Sequence, residues 1–381
     1  MSIESILTNA RVVTADREFT GSVVIRAGLI AEIDDGLSRA PTAIDLEGDY
    51  LLPGLVELHT DSMEKHFAPR PGVQWPSLPA LMAHDTQIAA AGITTVFDSL
   101  SLGDVRGETD RVKNRARMVE AICAASERRL TRVEHRLHLR CEVTPDDAVE
   151  AVDRWIDLPL VGLMSINDHT PGQRQFLDAT KLKQYYMGKF AMTEPQFEAF
   201  HAYSVELHAR NAAKHRREIV ARAHARALPL ASHDDATRAH VAEAVENGMT
   251  IAEFPTTREA ADASREAGLA VLVGAPNLVL GGSHSGNIAA IDLLREGQAD
   301  ILSSDYVPAS LMEAVFALPG AGIGICLPQA VQLASLNPAR AVGLEDRGEI
   351  ATARRADLVR VRQFESAPMV RAVWCAGERV V

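Results

Sequence analysis

The sequence predicts an α/β fold, a TIM-type (β/α)8 barrel joined to a small β-sandwich built from both termini. Eight short apolar or β-branched runs punctuate the middle of the chain, at 55–59, 93–98, 137–143, 161–166, 228–233, 250–254, 270–274 and 301–305. Stretches rich in Ala, Arg and Glu separate most of them, at 77–91, 106–131, 145–157, 194–227, 236–247, 257–267 and 288–296. Such alternation marks parallel strands joined by crossover helices. The third observation is that helix-free segments of β character sit at both ends, at 5–13, 21–25 and 29–33 and again at 356–361 and 369–374. Edge strands at two termini would lie unpaired unless they packed together. The expected division is 1–52 with 347–381 for the sandwich and 53–346 for the barrel. An open doubly wound sheet fits less well, because no run leads into a glycine-rich dinucleotide or phosphate turn.

Composition narrows the classes of function. The chain has 381 residues and a hydrophobic fraction of 47%, enough for a sizeable core. Nothing approaches the roughly 18 consecutive apolar residues of a membrane span, and no secretory signal is expected at the N-terminus. Cys123, Cys141, Cys326 and Cys375 are far apart with no C-x-x-C, so a reducing cytoplasm is the expected home. A formal net charge of −12 argues against nucleic acid as a partner. The expected partner is a small molecule, neither nucleic acid nor membrane, and the composition is compatible with a homo-oligomer.

The first barrel strand organises the rest. Its apolar run, broken by Pro53-Gly54 and interrupted by Glu57, ends in His59-Thr60-Asp61. Strand alternation puts His59 and Asp61 on one side, an imidazole and a carboxylate as in divalent-metal sites. One strand end alone would mean little, so the others decide. The second ends in Asp98, read as a turn residue. The third ends in Glu142, which could equally pair with an Arg such as Arg140, and the fourth runs into Asn167-Asp168-His169. The fifth offers His233-Asp234-Asp235, the sixth Glu253 (a cap is the alternative), and the eighth Asp305. Catalytic groups of such barrels gather at these C-terminal ends. Six of eight ends offering a metal-type ligand point to a divalent-metal centre.

Within that set His233 reads as a ligand, and His169 or Asp168 should face the site. Asp305 is suited to bind metal through one oxygen and take a proton from water through the other, with a helix N-cap as the structural alternative. His201, His208 and His215, at seven-residue spacing on one helix, read as a solvated stripe. His135, His138, His224 and His240 receive no role. Lys65, Arg70, Arg174, Lys181, Lys183 and Lys189 follow the first and fourth strands and could hold an anion. The loop Gly281-Gly282-Ser283-His284-Ser285-Gly286-Asn287 before a helix could do the same.

Several of these elements resemble the amidohydrolase superfamily over essentially the full length. They are Leu-Pro-Gly-Leu-Val-Glu-Leu-His-Thr-Asp at 52–61, Ser-His-Asp-Asp at 232–235, Ser-Ser-Asp at 303–305, Asn-Pro-Ala-Arg at 337–340 and Ala-Asp-Leu-Val at 356–359. The departures are His59-x-Asp61 for the usual His-x-His, Glu253 near the usual sixth-strand His, and no Lys ending the fourth strand. Four longer motifs, at 59–66, 69–76, 168–175 and 281–287, look like one branch of that superfamily. This branch is the family of α-D-ribose 1-methylphosphonate 5-triphosphate diphosphatases of the carbon–phosphorus lyase pathway. The resemblance implies a metal-dependent hydrolase barrel that cuts a phosphorylated sugar phosphonate to its 5-phosphate and pyrophosphate. It further implies one or two divalent ions, Zn2+ or Mn2+, drawn from His59, Asp61, Glu142, His169, His233 and Asp305, with Asp305 also the base. Lys65, Arg70, Arg174 and His284 are then expected on the phosphates. The alternative is a cyclic-amide hydrolase or deacetylase, which would need no basic loops.

Overall fold

The computed structural model describes residues 4–105, 110–174, 183, 187–188, 192–283 and 286–381. The N-terminal strands are β1 (Glu4–Val13), β2 (Glu18–Arg26), β3 (Leu29–Asp34), β4 (Ile44–Asp45) and β5 (Tyr50–Pro53). The barrel strands are β6 (Leu55–Thr60), β7 (Ile93–Leu102), β8 (Glu134–Glu142) and β9 (Val161–Asn167), followed by β10 (Leu230–His233), β11 (Ile251–Glu253), β12 (Ala270–Gly274) and β13 (Ile301–Ser303). The chain returns to the first sheet as β14 (Leu358–Phe364), β15 (Ala367–Cys375) and β16 (Glu378–Arg379).

The termini do meet in one sheet, in the order β16-β15-β14-β5-β1-β2-β3 with β4 beside β1. The pairing is mixed rather than antiparallel throughout, because β1 runs parallel to both β4 and β5. Period-2 alternation splits its strands between two cores. Val12, Leu51, Leu358 and Trp374 fill the sheet's own core. Their neighbours Val13, Leu52, Val359 and Val373 join Ile88, Leu311, Met312 and Val315 in the core shared with the barrel's helices.

All eight expected barrel strands are present, each parallel to the next in sequence order. The helices between them include Ser77–Ala90, Asp110–Glu127, Ala148–Asp153, Glu194–His224, Arg238–Glu246, Arg258–Glu266 and Ala290–Arg295. Thr237 and Thr257 begin two of these, each hydroxyl accepting a backbone N–H three residues on, the usual N-cap arrangement. Val56, Leu58, Phe97, Leu163, Ala231, Ile251, Leu272 and Ile301 fill the barrel interior. Polar side chains collect at the mouth, where the C-terminal strand ends leave room for them. Among the described residues, no helix is long and apolar enough to cross a membrane.

The returning chain is fastened to the barrel through Glu134 at the start of β8. Its carboxylate accepts from Arg347 Nη1 at 2.7 Å, from Arg136 Nε at 2.8 Å, and from Arg355. Burial opposes ionisation of Glu134, but Arg347 and the hydrogen bonds of all three arginines outweigh it and hold the carboxyl at about 2. A carboxyl depressed below its ordinary 4.5 gives stability that is present above that value and lost as pH falls towards about 2. Glu134→Gln is therefore expected to cost about 2 kcal/mol near neutrality, because Arg347 and Arg355 each lose one of their two acids. Denaturant titrations of both proteins at about pH 7 and about pH 3 check this: the gap should narrow in acid.

Candidate metal centre

The site begins at the seam where the first and last barrel strands close. A bulge lies between Glu57 and Thr60, which pair with Val96 and Asp98 of β7. The Glu57 carboxylate accepts the backbone N–H of His59 at 2.7 Å and that of Ser304 at 2.6 Å. Ser303 Oγ lies 2.7 Å from both Glu57 Oε1 and the His59 carbonyl. Thr60 Oγ1 donates to the Asp305 carbonyl at 2.7 Å, and Asp61 N approaches the same oxygen at 3.3 Å. The strand stops at Thr60, so simple alternation does not govern Asp61. The seam instead brings the backbone of Asp61 against that of Asp305.

Three strand ends carry non-glycine residues with positive φ: Asp234 at 57°, Phe254 at 53° and Asp305 at 51°. Asp tolerates this region because its short polar side chain bonds locally, whereas for Phe it is a strained state of order 1–3 kcal/mol. The Phe254 ring meets the edges of His59 and His233, with centroids 5.0 and 5.6 Å apart. The turn thus places an apolar wall behind two imidazoles.

Glu253 lies fully buried among the histidines. Its Oε1 is 3.2 Å from His59 Nδ1 and 3.8 Å from His138 Nε2, and its Oε2 is 3.1 Å from His233 Nδ1. The rings of His59 and His233 stack at 5.4 Å. Glu142 accepts from His169 twice, at Nδ1 (2.6 Å) and at the backbone N (3.0 Å). That turns the His169 ring edge towards His233, with centroids 5.6 Å apart. In such an arrangement a carboxylate sets a ring's tautomer and direction, and the opposite nitrogen meets the metal.

The charges of this cluster are poorly served by protein alone. Burial pushes His233 well below its ordinary value and takes His138 down to about 3, so both rings are neutral near pH 7. Burial pushes Asp234 up to about 6. Asp305 is pushed to about 7, by burial first and then by the charge of Asp61. Asp234 Oδ2 is buried and accepts no hydrogen bond among the described residues. The ligand atoms of His169, His233 and Asp234 lie within 4.8 Å of one another, as do those of His59, His138 and Glu253. Neutral imidazoles beside carboxylates short of donors are the donor set a divalent ion requires. The residues fit one.

The phosphate candidates are scattered. Lys65 and Arg70 are exposed, and Lys65 Nζ donates to the carbonyl of Tyr306, next to Asp305, at 2.8 Å. Arg174 is buried in ion pairs with Asp235 and with Glu243, the latter at 2.6 Å. Lys183 pairs with Glu194. His284, Lys181 and Lys189 lie outside the described residues.

Other histidine readings change. His215 is buried, its Nδ1 3.0 Å from the Val143 carbonyl, and His208 pairs with Asp168 at 2.9 Å. This face of the long helix packs on the barrel instead of meeting solvent. Asp98 is no turn residue, since β7 continues to Leu102. It points behind the barrel wall, 2.7 Å from His84 Nε2 and 2.6 Å from His135 Nδ1. Although those three could also be ligands by distance, their bonds are satisfied. Burial works against a charge on His135, but Asp98 and Asp85 hold it protonated up to about 9, a state without a free lone pair. His138 and Arg140 are the site residues that sequence reasoning passed over. Their inward direction on β8 was readable from the i, i+2 series ending at Glu142, had that been extended backwards.

Residues 80–380 match the amidohydrolase family. The chain is 46% identical over 376 residues to the alpha-D-ribose 1-methylphosphonate 5-triphosphate diphosphatase of Escherichia coli (strain K12), covering 98% of this chain and 100% of that one. Among solved structures it is similar to the dihydropyrimidinase of Brevibacillus agri NCHU1002, with a TM-score of 0.61 and 16% identity over 100% of this chain and 95% of that one. It is also similar to the N-acetylglucosamine-6-phosphate deacetylase of Pasteurella multocida, with a TM-score of 0.58 and 13% identity over 99% of each chain. Likeness at such identities speaks for the fold alone.

Glu253→Gln is expected to weaken divalent-metal affinity by about 10- to 100-fold, whether it binds the ion or steers the rings that do. Asp98→Asn should leave metal content unchanged. Elemental analysis of the purified variants, each dialysed against the same metal buffer, reads both.

Proposed function

Because the chain belongs to the amidohydrolase family, we propose that it uses this centre to hydrolyse α-D-ribose 1-methylphosphonate 5-triphosphate to the 5-phosphate and pyrophosphate. The observation that carries the reading is end-to-end identity of 46% with a diphosphatase of that name, together with a mouth that offers both ligands and basic side chains. The four free cysteines fit a reducing cytoplasm.

His59, His233, Asp61 and Asp305 would hold the ion, with His169 positioned by Glu142 as a further ligand. Bound there, Zn2+ or Mn2+ supplies a water whose pKa is lowered towards about 7. The chain's own groups do the rest. Asp305, its carboxyl already raised by burial and by Asp61, accepts the proton of the attacking water. A bond forms from the water oxygen to the α-phosphorus. The bond from the α-phosphorus to the oxygen that bridges it to the β-phosphorus breaks, and its electron pair leaves on that oxygen with pyrophosphate. Lys65 and Arg70 at the rim, with His284, neutralise that departing charge. Arg174, tied to Asp235 and Glu243, holds the fourth-strand loop in shape and can add charge there.

Phosphorus NMR in 18O-labelled water tests the whole reading. The protein with Mn2+ or Zn2+ should convert the ribose triphosphate to pyrophosphate and a 5-phosphate carrying the label, and should act poorly on ATP. Label in pyrophosphate would instead mean attack at the β-phosphorus, and no turnover of the triphosphate would refute the function. Asp305→Asn should lower kcat by about 100- to 10,000-fold, and a chelator should abolish activity until metal is restored.

A further inference from the structure

Arg140 has no part in the ligand set, yet it stands inside it. On β8 it pairs in register with Ser101 and Ser165 on the two neighbouring strands, one step deeper than Glu142 and one above His138. Its guanidinium faces the barrel interior, where Nη2 lies 3.4 Å from His233 Nε2. Its charge is felt by Asp305, Asp234, His169 and Glu253. No carboxylate pairs with it among the described residues, and its buried Nε has no hydrogen-bond acceptor there. The buried or partly buried arginines Arg174, Arg216, Arg347 and Arg355 are each held by two acids. A guanidinium left unpaired in such a place is costly unless something anionic completes it.

The contact with His233 says when that happens. His233 Nδ1 is directed at Glu253, which leaves Nε2 as the ring's only lone pair. A metal ion and Arg140 both address that one nitrogen. Loading the ion therefore takes away Arg140's nearest partner and leaves a planar, permanently charged fork beside the ion.

We propose that Arg140 is a catalytic residue, whose guanidinium binds the non-bridging oxygens of the phosphoryl group under attack. This rests on the triphosphate-hydrolase reading of the same site. Charge on those oxygens rises as the water bond forms and the bridging bond breaks, and a fixed fork of N–H donors stabilises it without gaining or losing a proton.

Arg140→Met and Arg140→Lys separate this role from a structural one. In Arg140→Met, kcat for the ribose triphosphate should fall about 100- to 1,000-fold, with metal content and melting temperature close to wild type. Arg140→Lys should keep the charge but recover only part of the rate, because an ammonium cannot reproduce the fork. Inorganic tripolyphosphate, titrated calorimetrically into the metal-loaded proteins, should bind Arg140→Met at least about tenfold more weakly than wild type. Loss of metal from Arg140→Met, full activity in either variant, or unchanged tripolyphosphate affinity would overturn the proposal. If Arg140→Met does not fold, Arg140→Lys decides by its rate and its tripolyphosphate affinity. If the wild type fails to cut the ribose ester, the function falls, and the tripolyphosphate arm still decides Arg140.

Discussion

The buried carboxylate of Glu57 is the constraint on which the site depends. A closed barrel must join its first and last strands, and here they are short where they meet. Glu57 joins them by accepting backbone N–H groups from His59 on one side and Ser304 on the other. Burial pushes its carboxyl upward against the pull of those donors, so this closure is bought with desolvation. In return the bulge aims His59 inward, and the seam brings Asp61 against Asp305. A (β/α)8 barrel can carry ligands on every strand end, but they meet one ion only if the ring is closed in this register.

What separates a metal centre from a histidine-rich core is whether the charges are satisfied. The protein contains both. Behind the barrel wall, Asp98 is shared by His84 and His135, and a proton held on His135 balances the acids around it. At the mouth, two histidines are forced neutral, two aspartates are forced up and Arg140 has no carboxylate partner among the described residues. Distances alone would nominate both clusters. Only the mouth is improved by adding a cation for the acids and an anion for the arginine, and a metal ion with a polyphosphate supplies both.

Much of this was legible in the sequence, and the limits have physical causes. The eight runs became the eight strands because parallel strands are buried on both faces and must be apolar. Their polar last residues could be named for the same reason, which is how His59, His233, Glu253 and Asp305 stood out. Alternation alone did not govern Asp61, since a bulge inserts one residue between Glu57 and Thr60 and the strand stops before it. Asp98 was read as a turn residue, but the strand ran on and the acid turned towards His84 and His135. His138 and Arg140 escaped because they sit below the strand end, in a layer normally filled by apolar side chains. The histidines of the long helix read as solvated because their polar neighbours gave no sign of the packing that buries His215.

Anomalous diffraction from crystals grown with Mn2+ or Zn2+ tests the central claim most directly. The expected result is a peak inside the barrel mouth within about 2.3 Å of ligand atoms of His59, His233 and Asp305. A peak confined to His84, Asp98 and His135, or none at the mouth under saturating metal, would contradict the account.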